Sequence, residues 1–225
     1  MKVVSWNMNK RRSEGWNWLI NDLRPDYIMA QEASPIPENI VATERNTTKK
    51  ANRTVFYSKT NTHVRLKVGS DNGMGIIVSK DQDIFFLNIY ANLDFNPVHP
   101  PLLGYIASYV SHIRRRENAE HIIIAGDFNM DRRMDENPTG SKFAAKNTYP
   151  TNSFFDAIED MGFYECIRKF HKEPIQTHWN NKSTFPWELD HMFVTSALFG
   201  SLTSMEVIDA KKFSDHNALV ADFNT

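Results

Sequence analysis

Short apolar runs in this 225-residue chain repeatedly end in a carboxylate, an asparagine or a histidine. The run Ile122–Ala125, for example, leads directly into Asp127 and Asn129. An open α/β sheet places its ligand crevice at the ends of its strands, so the pattern favours a fold of that kind. The polar residues that follow such runs are Asn7, Glu32, Asp127, Asn129, Asp190, Asp215 and His216.

Hydrophobic periodicity predicts three helices between the runs. Apolar residues recur at helical spacing in segments that begin near Trp16, Leu102 and Phe154, and Gly162 ends the third segment. The other apolar runs predict strands at Gly75–Ser79, Ile84–Tyr90, His121–Ala125, Leu189–Thr195, Met205–Ile208 and Ala218–Phe223, with edge strands at Thr54–Ser58 and His63–Val68. The polar segment 131–152 is predicted to be a long loop.

The internal organisation of the sequence indicates one domain. No change in composition marks a boundary, and we expect a single catalytic domain over residues 1–225. The tetrapeptide WNMN at residues 6–9 resembles FNMD at residues 128–131, and each follows an apolar run. This echo fits a two-fold arrangement of two sheets, each contributing matching strand ends.

Net charge, cysteine content and the lengths of the apolar segments limit the possible partners and location of the protein. The formal net charge is −1, so no global positive field indicates nucleic-acid binding, although a metal ion and a few local cations can hold phosphate. The lone Cys166 excludes a disulfide within one chain and a cysteine-based zinc site. We see no signal peptide and no apolar stretch of transmembrane length, so we expect a cytoplasmic protein without stable membrane association. The oligomeric state is left open.

The oxygen-rich polar set predicts a site for a hard divalent cation. Mg²⁺ prefers carboxylate, carbonyl and water oxygens and takes only one or two protein carboxylates. Glu32 and Asn7 can supply such a shell, so we predict Mg²⁺, with Mn²⁺ as a substitute. Asp127 can orient an attacking water, and Asn129 can donate a hydrogen bond to a phosphoryl oxygen without adding negative charge.

His216 is the candidate acid–base group. A buried carboxylate on one imidazole nitrogen fixes the tautomer and stabilises the imidazolium. Asp190 is our candidate for that carboxylate, because Asp215 points the other way if it lies on a strand with His216. His191 follows Asp190 and should face away from the site, so we interpret it as structural.

Basic residues close to these motifs have two readings. Lys10 and Arg11 follow the Asn7 run, and Arg132 and Arg133 follow Asn129. They could grip phosphates on either side of a scissile bond, or they could form solvated loop clusters. We weigh the two readings equally.

The motifs together carry a family resemblance over residues 1–224. SWNMN, MAQE, GDFNM, WELDHMFVTS and SDHNAL, in this order, resemble the endonuclease/exonuclease/phosphatase superfamily. The resemblance implies a four-layer α/β sandwich, in which two packed mixed β-sheets are flanked by helices. It also implies Mg²⁺-dependent hydrolysis of phosphoesters.

The resemblance also implies residue roles. Glu32 would be the principal metal ligand, with Asn7 and Asp215 in the metal site. Asp127 would orient or activate the nucleophilic water, and Asn129 would contact the phosphate. Asp190 would polarise His216.

Two positions resemble the abasic-site endonucleases of this superfamily. Tyr90 and Asn92 lie where other subgroups carry a histidine, and the resemblance implies that the tyrosine contacts the phosphate. Trp187 resembles an aromatic residue of that subgroup's substrate pocket. Glu188 stands where the subgroup often has arginine, which predicts a negative charge beside the pocket.

Three functions are compatible with these observations. The first is a Mg²⁺-dependent endonuclease or exonuclease that cleaves DNA, and by extension RNA, through in-line attack by water. The second is a phosphatase or phosphodiesterase for a phosphoinositide, a phospholipid or a small phosphoester. The third is a non-catalytic binding module that retains the fold, against which the intact seven-residue set argues.

Overall fold

Two mixed β-sheets form the centre of the molecule. The computed structural model describes residues 1–10, 14–40, 44–47, 53–60, 62, 64–66, 75–91, 99–136, 150–179 and 185–224. Within those ranges the first sheet consists of β1 (Lys2–Asn7), β2 (Tyr27–Gln31), β3 (Glu44–Thr47), β4 (Arg53–Ser58), β11 (Leu202–Ile208) and β12 (Ala218–Phe223). The second consists of β5 (Val64–Arg65), β6 (Ile77–Asp81), β7 (Ile84–Tyr90), β8 (His121–Asp127), β9 (Phe163–Glu165) and β10 (Asp190–Thr195).

The strand order gives both sheets the same central pattern. The orders are β11-β12-β1-β2-β4-β3 and β5-β6-β7-β8-β10-β9. The pairs β1–β2 and β7–β8 are parallel, and the other pairings of named strands are antiparallel. The last strand, β12, lies beside the first, and the amino group of Met1 donates to the carbonyl of Phe223 at 2.6 Å.

The three predicted helices are present, and a fourth was missed. α1 (Glu14–Asn17) continues as a π-helix over Trp18–Leu23, and it is followed by α2 (His99–Glu117), α3 (Thr151–Asp160) and α4 (Ser196–Ser201). α4 lies directly between two strands and is too short for a periodic stripe. No helix in the part of the chain that the structure describes is long and apolar enough to cross a bilayer.

Alternating apolar faces stack the elements into four layers. Along β8, Ile123 faces the other sheet, whereas Ile122 and Ile124 pack against α2 and α3. On the first sheet, Val4 and Trp6 pack against α1. β2, β7 and β10 are buried along their whole lengths, because layers cover both of their faces. The predicted fold, two packed mixed sheets flanked by helices, is confirmed.

The internal echo has a different structural basis from the one predicted. β1 and β7 are the first strands of the two parallel pairs, and β2 and β8 are the second strands. The two-fold pattern therefore relates β1 to β7 and β2 to β8, and it does not relate the end of β1 to the end of β8. The ends of β1 and β8 instead form the same kind of turn. In this turn Asn7 corresponds to Asp127, two residues before the Asn129 of the predicted match. Asn7 and Asp127 each accept, through Oδ1, the backbone N–H two residues on, at 2.9 Å. Asn9 and Asn129 adopt left-handed backbone conformations there, with φ of 47° and 51°.

Gly126 yields a test of the strand packing. Its φ is +148°, and a Cβ built there would lie 1.9 Å from the backbone oxygen of Ile89. We expect Gly126→Ala to lower the free energy of unfolding by about 3 kcal/mol or more, because β7 and β8 would have to separate. Urea unfolding measures this change.

The matched control for that variant is Gly104→Ala, in the exposed part of α2. A Cβ at Gly104 meets no atom within 4 Å. Alanine should therefore stabilise the helix by about 0.5–1 kcal/mol. Equal unfolding free energies for the two variants would contradict the close contact at Gly126.

Candidate active site

The predicted polar residues converge at one end of the sandwich. Asn7, Tyr90 and Asp127 are the last residues of their strands. β10 runs antiparallel to β8 and begins at Asp190, which pairs with Asp127 in the register. His216 lies just before β12, which runs antiparallel to β1. The sheet order therefore brings the ends of some strands and the beginnings of others to the same edge.

Three hydrogen bonds cross from one sheet to the other at this edge. Nδ2 of Asn7 donates to Oδ2 of Asp127 at 2.8 Å. The hydroxyl of Tyr90 donates to Oε1 of Glu32 at 2.9 Å. Nδ1 of His216 donates to Oδ2 of Asp190 at 2.8 Å. The site is thus shared between the two sheets.

Hydrogen-bond donors from Asn7 and Asn129 surround the carboxylate of Asp127. Its side chain is buried and also accepts from the backbone N–H and Nδ2 of Asn129, at 2.9 and 3.2 Å. Burial raises the pKa of Asp127 to about 7; His216 and the donors from Asn129 and Asn7 oppose the rise, whereas Asp190 adds to it. A carboxylate with a pKa near neutrality can exchange a proton with water.

His216 forms the predicted pair with Asp190. Burial disfavours the imidazolium, but Asp190, followed by Asp127 and Asp215, outweighs burial and raises the pKa of His216 to about 9. The ring is therefore charged at neutral pH. Trp6 holds the same residue from behind by donating its indole N–H to the His216 carbonyl at 2.9 Å.

One buried oxygen of Asp190 has no hydrogen-bond partner among the residues that the structure describes. That oxygen is Oδ1, and Asp190 also forms a group with Asp127 and His216 whose ligand atoms lie within 4.8 Å of one another. An unsatisfied buried acceptor is costly. The group thus fits a proton donor or a cation that arrives with substrate or solvent.

Glu32 has the surroundings expected of a carboxylate that binds a cation. Its backbone lies in the left-handed region with φ of 41°, which is uncommon for a residue with a long side chain. Oε2 pairs with the ammonium of Lys10 at 3.0 Å, and Nδ2 of Asn7 lies 3.5 Å from Oε1. Because Mg²⁺ retains several waters and takes only one or two protein carboxylates, the Glu32 carboxylate fits that ion.

The two other predicted metal-site residues are close but already engaged. Asn7 turns its amide nitrogen to Asp127 and its oxygen to the N–H of Asn9, so its described contacts orient Asp127. Oδ1 of Asp215 accepts from Nδ2 of Asn9 at 2.6 Å. Carboxylate and amide oxygens keep further lone pairs, and metal ligation by both residues stays a prediction.

The predicted phosphate contacts are distributed differently. Arg132 pairs with Asp156 and Glu159 of α3, whereas Arg133 pairs with Asp131. Both guanidiniums therefore have carboxylate partners, which favours a structural reading. Lys10 lies on Glu32, within the site. Arg11 and Asn92 lie outside the described residues.

Trp187 is beside the site in an apolar cluster. The indole is 4% exposed and packs against Phe185, Met134 and Leu189, the residue that precedes Asp190. The predicted negative charge at Glu188 does not face this cluster. Its carboxylate is buried, pairs with Arg168 and accepts from the N–H of Ile175, so Glu188 belongs to the back of the strand.

His191 lies on the opposite side of β10 from the site, as the strand alternation predicts. Nδ1 faces Oε1 of Glu165 at 2.8 Å and Nε2 faces the carbonyl of Met130 at 2.9 Å, so both nitrogens meet acceptors. Burial opposes the charge, but Glu165 and then Glu188 outweigh it and raise the pKa of His191 to about 9. The buried imidazolium ties β9 and the Asn129 loop to β10.

Four further residues support the site and were not predicted for it: Asn9, Thr177, His178 and Ser214. The hydroxyl of Thr177 accepts from the N–H groups of Leu189 and Asp190, and that of Ser214 donates to the carbonyl of Asn7 at 2.8 Å. The shared N-x-N and D-x-N spacing could have revealed Asn9. His178 belongs to the same region, because its ring centroid lies 4.6 Å from that of His216.

Comparison with known proteins agrees with this site. The family model described as Endonuclease/Exonuclease/phosphatase family matches residues 4–216. The chain belongs to that family. It is therefore a phosphoester hydrolase, and the resemblance predicted from the motifs is confirmed. No curated protein matches the chain in sequence.

Solved structures share the fold over the whole chain. An AP endonuclease from Archaeoglobus fulgidus is 20% identical, with a TM-score of 0.76 and 100% of both chains covered. A 3′ phosphatase from Neisseria bound to a product DNA hairpin is 19% identical, with a TM-score of 0.75 and the same coverage. A 3′-5′ exonuclease from Neisseria meningitidis is 18% identical, with a TM-score of 0.74 and also full coverage of both chains.

The buried His191 predicts a specific pH dependence of stability. A histidine whose folded pKa is about 9, against an ordinary 6.5, stabilises the fold fully below pH 6.5 and loses that contribution as pH rises through 9. We expect the unfolding free energy to fall by on the order of 3 kcal/mol across this window through His191 alone. Urea titrations at several pH values should show a shallower fall in His191→Gln.

His121→Gln is the control, because His121 pairs with Asp83 in a half-exposed position. Its stability should follow the pH dependence of the wild type closely. A His191→Gln variant with the same slope as the wild type between pH 6.5 and 9 would show that the buried histidine is not charged.

Proposed function

We propose that this protein is a Mg²⁺-dependent nuclease that hydrolyses phosphodiester bonds in DNA, with residues 1–225 acting as one catalytic domain. The observation that carries the proposal is the buried group of Asp127, Asp190 and His216, beside Glu32 and Tyr90 at one edge of the sandwich. The family includes other phosphoester hydrolases, and the nearest chemical alternative is removal of a terminal phosphate from DNA.

Asp127 and His216 have different roles in the in-line hydrolysis. Asp127, with a pKa near 7, takes a proton from the attacking water. The imidazolium of His216 donates a hydrogen bond to a phosphoryl oxygen and stabilises the charge that develops in the transition state. The water oxygen bonds to phosphorus, and the bond to the leaving oxygen breaks. The leaving oxygen takes a proton from solvent and Asp127 returns its proton to solvent, giving a phosphate monoester and a free hydroxyl.

The metal ion, when bound, would be held by Glu32 and would offset the charge of the phosphoryl group. Tyr90 orients Glu32 through its hydroxyl, and Asn7 orients Asp127. Asn129 is placed by its left-handed backbone and by a hydrogen bond from Nδ2 to the carbonyl of Ala91 at 3.0 Å. Nδ2 also donates to Asp127, and we expect one of its two N–H groups to turn to the phosphate when substrate binds.

DNA is the preferred substrate for two reasons. The relatives of known structure named above include an AP endonuclease and a 3′ phosphatase bound to a DNA hairpin. In this chain, an apolar cluster around Trp187 adjoins Asp190, and its partly exposed member, Phe185, can pack against a base or a sugar. RNA cleavage is compatible with the same site. The proposal keeps the cytoplasmic location expected from the sequence.

Metal-dependent nicking of supercoiled plasmid tests the proposal. Purified protein should nick DNA in Mg²⁺ and stop when EDTA is added. His216→Ala should lower the rate about 100- to 10,000-fold, because it removes the charged donor. His121→Ala is the matched control and should retain the wild-type rate.

Phosphate release from DNA with a 3′-phosphate, from an inositol phosphate and from phospholipid vesicles distinguishes the alternatives. Activity on vesicles without any nicking, in folded protein, would contradict the nuclease proposal. Unchanged biological activity in Asp127→Ala would favour the non-catalytic binding module.

The pH–rate profile tests the roles of the buried charges. The rate should rise as Asp127 ionises near pH 7 and fall as His216 loses its proton near pH 9. Asp190→Asn should move both limbs toward acid, because Asp190 raises both pKa values, and His216 should shift more. Rates at constant Mg²⁺ across pH provide the measurement, and an unmoved alkaline limb would remove His216 from the assigned role.

A further inference from the structure

A second histidine stands beside the proposed catalytic one. The backbone of His178 pairs with that of His216 in an isolated antiparallel bridge. This pairing brings the two imidazoles to a centroid distance of 4.6 Å, at an angle of 51°. Ligand atoms of His178, Asp215 and His216 all lie within 4.8 Å of one another.

His178 carries a buried atom with an unmet bonding capacity. Its Nδ1 is buried and makes no hydrogen bond to any residue that the structure describes. Leaving a polar atom in this state costs free energy unless something else contacts it. The other histidine of the group differs, because Asp190 holds Nδ1 of His216 and leaves Nε2 for another contact.

The donor set differs in kind from the one around Glu32. Two imidazoles and a carboxylate are nitrogen and oxygen ligands of the type that Zn²⁺ and similar transition metals take, whereas Mg²⁺ prefers oxygen alone. A carboxylate on the far nitrogen of a ligating histidine is also a common outer partner in zinc sites. Asp190 supplies that partner for His216.

We propose that His178, Asp215 and His216 form a binding site for Zn²⁺ or a similar imidazole-preferring divalent metal. The site differs from the oxygen-rich site at Glu32 in its two imidazole donors and shares Asp215 with it. A catalytic-type zinc site has three protein ligands and an open position, which matches this set. Asp215 would bind through an oxygen lone pair beyond the one that accepts from Asn9.

Occupation of the site has a functional consequence that rests on the proposed nuclease function. A metal on Nε2 of His216 would occupy the ring nitrogen that otherwise contacts the phosphate, because Nδ1 is engaged by Asp190. Zn²⁺ would therefore inhibit the Mg²⁺-dependent reaction.

Direct binding of Zn²⁺ tests the site without substrate. Tag-free protein, stripped with EDTA and exchanged into buffer, is titrated with Zn²⁺ against a chromophoric chelator in excess Mg²⁺. We expect one equivalent to bind, and His178→Phe to weaken that binding at least about 100-fold, the upper end of what losing an outer partner costs. His121→Gln, which removes a histidine paired with one carboxylate, should bind as the wild type does.

The variant is chosen to preserve packing. Phenylalanine keeps a ring against His216 and removes the unpartnered Nδ1, so the unfolding free energy should not fall. If His178→Phe nevertheless unfolds, His178→Gln serves as the second variant, and the same weakening is expected.

The outcomes separate this site from the proposed function. Absence of a bound equivalent, or equal affinity in the wild type and both His178 variants, overturns the zinc site whatever the enzyme cleaves. Zinc binding that depends on His178 supports the site even if plasmid nicking fails. If nicking succeeds, zinc inhibition should be weaker in His178→Phe, and equal inhibition would overturn the inhibitory role.

Discussion

Two buried amides fix the alignment of the sheets, and the site depends on that alignment. Nε2 of Gln31 donates to Oδ1 of Asn88 at 2.8 Å, and Nδ2 of Asn88 donates to the carbonyls of Ala30 and Val55 at 3.1 and 2.9 Å. Apolar packing between sheets is non-directional and tolerates sliding. Hydrogen bonds between buried polar groups do not, because a shifted register leaves them unpaired.

The same constraint explains how buried charges are tolerated at the edge. Asp127 and Asp190 belong to the second sheet, and His216 is carried by the first. Neither carboxylate has a cation from its own sheet in the described contacts, so the imidazolium is what compensates them. The charge balance that sets the two perturbed pKa values therefore exists only when the sheets are docked. On the back of β10 the compensation is within one sheet, because His191 and Arg168 pair with Glu165 and Glu188.

The sequence predicted the fold and the convergence of the site, because strand periodicity and polar strand ends are local signals. It also identified Asp190 as the partner of His216. It did not predict the ion pairs that engage Arg132 or Glu188, since these depend on which face a side chain takes at a strand end. The place of His178 was also hidden, because its neighbour His216 lies 38 residues away and meets it through a single bridge.

The position of β12 beside β1 sets the order in which the site can come into being during synthesis. The chain must supply Asp215, His216 and the strand after them before the first sheet can close around β1. Asp127 and Asp190 leave the ribosome earlier and then lack the imidazolium of His216. A ribosome-bound nascent chain would thus hold a nearly complete second sheet and no working site, so hydrolysis would begin only once the last strand is free to insert.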